Sequence, residues 1–342
     1  MSKQQSFALP ISLHNDKTQL MIDFSKLVFI GRYNIQNSKA YIYNGGSGFS
    51  FLMKGTGFEL VSDSIDQDGY YYIIIDKDYK NKRKVLVSNS KPFVFGKEGL
   101  YQVDIIKANE ANDNTLVLKD IKVNGTLFTI QNEPKKKVVV YGDSTIAGFG
   151  ILAKTGAADI HNCDAVEDFC FQALYELNMD MDIFSASGYG LTFSQYTFPM
   201  DMGIIDYFDK LKVHSEISWN NQSKNDLLII SLGTNDNAFI QGHIEKKDEL
   251  IDLFKINYRK LIDAEMSKNP EIKVLMVYGT LTEVTAYPLI EETYKYLKHL
   301  YNNLYIHKFN GDCSAISNHA FVNAHKRMAE ELKNEIKNIL KI

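Results

Sequence analysis

Five apolar runs in the second half of the chain constrain its fold more than any other feature. The runs are nearly continuous, which is the pattern of strands buried on both faces. Stretches with helical spacing separate them, around residues 160–177, 247–268, 289–303 and 319–341. This alternation predicts an α/β fold, in which helices cover a parallel sheet. The runs are KVVVY (137–141), MDIFSAS (181–187), DLLIISLG (226–233), KVLMVYG (273–279) and LYIHKF (304–309).

The first half of the chain has a different periodicity. Between Asp23 and Phe128, short strand-like segments are separated by Gly, Asn and Asp, and no segment has convincing helical spacing. This pattern predicts an antiparallel β-sandwich or jelly roll. The clearest strand-like segments are YYYIIID (70–76), KVLVS (84–88), FVFG (93–96) and YQVDIIKAN (101–109).

A domain junction is predicted between these two halves. The segment QNEPKKK (131–137) combines a proline with a run of charges directly before an apolar strand. We therefore expect a β-domain over residues 1–133 and an α/β domain over residues 134–342, and each is long enough to bury a core of its own.

Composition and charge limit the partners that this chain is expected to bind. Hydrophobic residues make up 45% of the 342 residues and charged residues 23%, as in ordinary soluble globular proteins. The formal net charge of −4 provides no basic surplus for nucleic-acid phosphates, so no nucleic-acid partner is expected. No window approaches a membrane span, so no membrane partner is expected either. The composition leaves the oligomeric state open.

The N-terminus and the cysteines bear on localisation. The first twenty residues lack the charged start and apolar run of a secretory signal, which predicts a cytoplasmic protein, or a secreted one if a signal has been removed. Cys163, Cys170 and Cys313 are an odd and sparse set, which favours reduced thiols over a disulfide framework.

Polar motifs follow three of the predicted parallel strands, where the crevice of such a sheet lies. Gly142-Asp143-Ser144 follows the first strand, Ser187-Gly188-Tyr189-Gly190 the second and Gly233-Thr234-Asn235-Asp236 the third, while His319 stands before the last helix. Each motif alone is more typical of a turn or helix cap. Their order together favours a catalytic interpretation.

These residues supply the parts that nucleophilic acyl transfer requires. Ser144 would be the nucleophile and His319 the base that takes its proton. The backbone N–H groups of Ser144 and Gly188 and the side-chain amide of Asn235 would form an oxyanion hole.

The GDS, SGYG and GTND segments, with a histidine opening the last helix, resemble the sequence blocks of the SGNH hydrolase superfamily. The segment YQVDIIKANEANDNTLVLKDIKVNG (101–125) and the single Trp219 before the GTND strand resemble carbohydrate esterase family two. The resemblance implies a jelly roll followed by a three-layer α/β SGNH domain. It also implies an esterase that removes O-acetyl groups from acetylated polysaccharides or oligosaccharides, with no metal and no organic cofactor.

The chain departs from the superfamily pattern at one position. Members usually carry an aspartate three residues before the histidine, and that position is Ile316 here, which cannot orient an imidazole. The resemblance allows a serine–histidine dyad in which a backbone carbonyl orients His319, and this is the hypothesis we favour. Asp312 is the alternative orienting acid if its loop folds back.

Other candidates have simpler interpretations. His325 lies on the apolar stripe of the last helix, which favours a packed core histidine. His161 and Cys163 match no familiar zinc spacing, so no metal site is expected. Asp143 and Asp236 are expected to hold turns by accepting backbone N–H groups.

Three aromatic residues lie near the motifs in sequence. Phe149, Tyr189 and Trp219 could stack on a sugar ring, although core packing is the commoner role of each type.

Two competing functions remain at this level. One is an SGNH esterase or lipase acting on another ester, which would have the same site. The other is a carbohydrate-binding protein whose esterase site is degenerate, as the missing aspartate would allow. Retention of the serine, both oxyanion residues and the histidine argues against the second.

Overall fold

The computed structural model describes most of the chain. In this part, no helix is long and apolar enough to cross a membrane. The described residues are 22–131, 133–153, 156–195, 197, 199–219, 223–281, 286–309 and 316–342.

The first half forms a continuously hydrogen-bonded antiparallel sheet of eight strands, which is jelly-roll-like as predicted. The strand order is β2-β3-β8-β4-β7-β5-β6, and β1 pairs with β4. The strands are β1 (Val28–Ile30), β2 (Tyr33–Gln36), β3 (Lys39–Ile42), β4 (Gly48–Asp66), β5 (Tyr70–Ile75), β6 (Arg83–Leu86), β7 (Phe93–Lys107) and β8 (Asn114–Phe128).

Three strands of this domain are longer than the sequence suggests. The segments 93–96 and 101–109, expected as separate strands, form the single strand β7, which pairs with β4 along Gly48–Phe58. Register shifts at Gly55/Gly57 interrupt the pairing of β4 with both β7 and β8. Such bulges bend long strands, and they let these strands curve around a core rich in Phe, Ile, Val and Leu.

The second half contains a five-stranded parallel sheet in the order β10-β9-β11-β12-β13. All five apolar runs form its strands, so the predicted α/β fold is confirmed. The strands are β9 (Lys137–Gly142), β10 (Asp180–Ser185), β11 (Leu227–Ser231), β12 (Lys273–Tyr278) and β13 (Leu304–Lys308).

Helices cover both faces of this sheet and give the three layers. Side chains of β9 alternate between the faces: Val138 and Val140 pack with α1 and α5, and Val139 and Tyr141 pack with α2, α3 and α4. The helices are α1 (Phe169–Glu176), α2 (Thr234–Gly242), α3 (Lys247–Lys268), α4 (Tyr287–Lys298) and α5 (Val322–Leu340).

Two helices differ from the prediction. Helix α1 begins at Phe169 rather than near residue 160, because the Asp168 carboxylate caps it by accepting the N–H groups of Cys170 and Phe171. Helix α2 was not predicted, since it is short and polar, and its first residues are those of the GTND motif.

The last helix packs through the predicted stripe. His325 is 2% exposed and its Nδ1 accepts the backbone N–H of Phe169 at 3.1 Å. Burial, with a weaker contribution from the charge of His319, lowers the pKa of His325 to about 3. The core interpretation of His325 is confirmed, and Cys163 and Cys170 are also buried free thiols, as expected.

A buried ion pair connects the two halves. Arg32 of the β-domain is 1% exposed and its Nε donates to both carboxylate oxygens of Asp182 on β10, at 3.0 and 3.2 Å. Its guanidinium carbon lies 4.1 Å from the ring centroid of Phe184. The predicted division at residues 133/134 falls between the end of β8 at Phe128 and the start of β9 at Lys137, and its exact position stays a prediction.

Candidate active site

The candidate catalytic groups meet where three parallel strands end. In the hydrogen-bond register, Gly142 of β9 is the Cα partner of Ser185 on β10 and of Ser231 on β11. The three polar motifs begin within three residues of these positions. They therefore share the carboxyl edge of the sheet, where α/β proteins form their crevices.

A tight turn presents Ser144 at this edge. Gly142 allows the turn, because a Cβ there would lie 2.3 Å from Cγ1 of Ile146. The Asp143 carboxylate accepts the backbone N–H and the hydroxyl of Thr145 at 2.9 and 2.8 Å, which is the turn-holding role expected for it. Burial raises the pKa of Asp143 to about 6.

His319 lies against this serine. Its Nε2 is 2.7 Å from Oγ of Ser144, which is hydrogen-bond distance for a base and its nucleophile. The ring of Phe149, in the turn after Ser144, lies 5.0 Å from the imidazole, centroid to centroid. His319 is 8% exposed while Ser144 is half-buried, so the candidate base is shielded and the candidate nucleophile remains accessible.

The loop after β10 carries the second motif. Gly188 has a φ of +82°, and a Cβ there would lie 2.6 Å from the carbonyl oxygen of Gln195, so the position requires glycine. The carbonyl of Gly188 accepts the N–H of Gln195 at 2.7 Å. Within the described part of the chain, the N–H groups of Ser144 and Gly188 donate to no protein acceptor, as an oxyanion hole requires.

Asn235 lies in the first turn of α2, after the end of β11. Its Nδ2 donates to the carbonyl oxygen of Tyr189 at 3.0 Å, which joins the third motif to the second. A carboxamide nitrogen carries two N–H bonds. The second is the donor that the predicted oxyanion hole would use.

Asp236 holds the chain that follows the second motif, Ser187–Gly190. It is fully buried, and burial raises its pKa to about 6 although it accepts three N–H bonds. Its expected turn-holding role is therefore observed. The donors are Leu191 at 2.8 Å, Thr192 at 2.7 Å and Phe193 at 3.0 Å.

The group that orients His319 stays a prediction. Asp312 lies outside the described residues. Ile316, which occupies the usual aspartate position, begins a 3-10 turn (Ile316–Asn318), and its carbonyl accepts the backbone N–H of His319 at 3.0 Å.

Of the three aromatic candidates, Phe149 is the one whose ring lies against a predicted catalytic side chain in the described structure. Tyr189 is 2% exposed and packs in the core of the α/β domain. Trp219 donates to Asp182 at 3.1 Å, three residues before the end of β10, and packs on Tyr33 of the β-domain. Trp219 is therefore part of the contact between domains and not of the cleft around Ser144.

The zinc alternative gains no support. In the described ranges, no group of three or more His, Cys, Asp or Glu side chains could hold a metal ion. His161 Nδ1 lies 2.8 Å from the Tyr70 hydroxyl, and the Cys163 sulfur accepts the N–H of Gly150 at 3.3 Å.

One polar residue at the site was not identified from the sequence. The Glu110 carboxylate, in the loop after β7, accepts the backbone N–H of Ser187 at 2.8 Å. In the sequence, Glu110 is marked only by the charge pattern of KANEAND (107–113), and that pattern is also typical of a solvated turn.

The fold as a whole is that of family two carbohydrate esterases. A family two carbohydrate esterase from Cellvibrio japonicus superposes with a TM-score of 0.77 at 19% identity, over 93% of this chain and 96% of that one. An acetyl xylan esterase from the rumen bacterium Butyrivibrio proteoclasticus gives 0.79 at 16% identity, over 94% and 97%. A family two carbohydrate esterase from Clostridium thermocellum in complex with cellohexaose gives 0.77 at 19% identity, over 92% and 99%.

These similarities are structural. No protein-family model and no curated protein matches the sequence. The predicted fold class and the resemblance to the SGNH family two fold are confirmed, and the similarity extends over both domains.

We predict that Asn235→Ala lowers kcat on a small acetate ester by about 10²–10³-fold, the usual effect of losing one oxyanion donor. Gln241→Ala, an exposed position on the same helix, is the control and should leave kcat unchanged. Steady-state kinetics of both variants test this. A change confined to KM would assign Asn235 to substrate binding instead.

We predict that Asp312→Ala keeps kcat/KM within a few-fold of the parent, since a backbone carbonyl can fix the imidazole tautomer. His319→Ala should be inactive. The measurement is kcat/KM of both variants on one acetylated substrate, with circular dichroism to verify folding. Equal, near-complete loss would show that Asp312 completes a triad, because replacing the triad acid of a serine protease lowers kcat about 10⁴-fold.

Proposed function

We propose that this protein is a serine esterase that removes O-acetyl groups from polysaccharides or oligosaccharides. The observation that carries the proposal is the 2.7 Å contact between Ser144 Oγ and His319 Nε2 at the edge where three strand-end motifs meet. This contact supports Ser144 as nucleophile and His319 as its base, with candidate oxyanion donors in the two neighbouring motifs.

The proposed reaction has two steps. In the first, Ser144 Oγ attacks the acetyl carbonyl carbon while His319 Nε2 takes the hydroxyl proton. The oxyanion is held by the N–H groups of Ser144 and Gly188 and by the amide of Asn235. Its collapse breaks the bond to the sugar oxygen, which receives the proton from His319, and leaves an acetyl group on Ser144.

In the second step, water replaces the sugar. His319 takes a proton from a water molecule as the water oxygen attacks the acetyl-enzyme carbonyl. Collapse of that intermediate returns the proton from His319 to Ser144 and releases acetic acid, which gives its own proton to solvent and becomes acetate. No step in this sequence calls for a metal or a redox cofactor.

The substrate class is proposed from the fold. The similar structures include carbohydrate esterases, one of them an acetyl xylan esterase and one in complex with cellohexaose. Release of acetate from acetylated xylan, glucomannan and cello-oligosaccharides, compared with hydrolysis of longer acyl esters, tests this part of the proposal. A preference for long acyl chains would favour the lipase alternative.

We predict that Ser144→Ala abolishes hydrolysis of a small chromogenic acetate ester while the protein stays folded, because the attacking hydroxyl is removed from a partly exposed position. The control is Ser267→Ala, on the exposed side of α3, which should retain parental activity. Substantial turnover by well-folded Ser144→Ala would refute the nucleophile assignment. An inactive parent would favour a degenerate binding site.

A further inference from the structure

The loop that joins β7 to β8 reaches from the β-domain into the candidate active site. Ala108 is the first residue after β7, and its carbonyl accepts the N–H of Ala165 at 2.8 Å. The side chain of Asn109 donates to the carbonyls of Ile160 and Cys163 at 2.7 and 3.1 Å. The β-domain therefore supports the segment that follows Ser144 in the chain.

The loop between β7 and β8 also contacts the segment after β10, which we call the oxyanion loop (Ser187–Gly190). Glu110 is 6% exposed, and its Oε2 accepts the backbone N–H of Ser187 at 2.8 Å. Ser187 directly precedes Gly188, whose N–H is a predicted oxyanion donor. Without Glu110, the backbone N–H of Ser187 would lose its partner, at a cost typical of a lost hydrogen bond in a protein interior.

A buried lysine fixes the position of Glu110. Lys107 is fully buried, and its ammonium donates to the carbonyls of Asn109 at 2.5 Å and Glu110 at 3.0 Å. The charge of Lys107 also favours the ionised form of Glu110. Lys107 therefore fixes the backbone from which the Glu110 carboxylate reaches Ser187.

The position of Ser187 controls the direction of the Gly188 N–H. Peptide groups are planar, so only the φ and ψ angles of Ser187 separate its own N–H from that of Gly188. On the downstream side, the Gly188 carbonyl is fixed by the N–H of Gln195. The peptide group that carries the donor is thus held from both ends, and Glu110 provides the upstream restraint.

We infer that Glu110 is a positioning residue of the oxyanion hole, contributed by the β-domain to the chemistry of the α/β domain. This inference rests on the proposed function, since it concerns the same site. Glu110 acts through Ser187 and is not itself assigned a contact with substrate.

The titration of Glu110 provides a test that a purely structural role would not satisfy. Burial, with the charge of Asp113, raises the pKa of Glu110 to about 7 against the opposing effects of Ser187 and Lys107. Above this pH the carboxylate is ionised and accepts more strongly, and below it the group becomes neutral. The titratable groups around it are Lys107 at the end of β7, whose pKa burial lowers to about 7, Asp113 of the same loop, Tyr189 after β10, Cys163, and Lys212 beyond Lys107.

The experiment compares kcat and KM of the parent, Glu110→Ala and Glu110→Gln on a small acetate ester between pH 6 and pH 8.5. Glu110→Ala should lose about ten- to a hundredfold in kcat, less than removal of a direct donor costs. Glu110→Gln keeps one oxygen acceptor and should recover part of this loss, with KM within about twofold for both variants. A serine-reactive fluorophosphonate, allowed to react to completion, counts active enzyme.

The ratio of parental kcat to that of Glu110→Gln should fall towards one as the pH drops through about 7, because the parental carboxyl then becomes neutral like the amide. The matched control is Tyr175→Phe, which removes a hydrogen bond between α1 and Asp104 of the same strand β7, remote from Ser187, and should leave kcat unchanged.

Three results would overturn the inference while the proposed function stands. The first is an active parent whose Glu110 variants match Tyr175→Phe in kcat per active site. The second is a ratio that is independent of pH, and the third is a defect confined to KM. An inactive parent, by contrast, would refute the proposed function itself.

Discussion

The position of three of the four candidate catalytic residues depends on the hydrogen-bond register of β9, β10 and β11. Gly142, Ser185 and Ser231 are aligned in adjacent strands, so each chain leaves the sheet at the same level. A slip of one residue would move a strand end by about 3.3 Å and turn its side chains to the opposite face. The nearly complete burial of both faces of these strands specifies the register, since a slip of one residue would exchange the side chains between two packed cores.

The β-domain is joined to this sheet by polar contacts in a buried interface. Arg32 pairs with Asp182 near the amino end of β10, and Glu110 contacts Ser187 just after its carboxyl end. Buried charges are costly unless they are paired and hydrogen-bonded, so this interface tolerates few alternative arrangements. The two domains consequently act as one structural unit, with contacts to both ends of the strand that precedes the oxyanion loop.

Parts of this structure could be predicted from sequence because they depend on local patterns. Continuous apolar runs predicted all five parallel strands, and the stripe of α5 predicted the burial of His325. Features that depend on distant pairing could not be predicted in this way. The length of β7 depends on its pairing with β4. Helix α2 is too short and polar to show an apolar stripe in the sequence. The proposed role of Glu110 requires a contact with a residue 77 positions further along the chain. Whether Asp312 takes part in the site is not settled by sequence patterns, because a loop position does not determine which group the side chain meets.

The proposed mechanism depends on an acetyl group being held covalently by Ser144. The direct measurement is rapid acid quenching of the parent during turnover of an activated acetate ester, followed by intact-mass analysis and peptide mapping. The expected result is a mass gain of one acetyl group on the peptide that contains Ser144, forming and decaying at rates compatible with kcat and absent from Ser144→Ala. Acetylation of a different residue, or turnover with no acetylated enzyme under conditions where deacylation is rate-limiting, would contradict the mechanism.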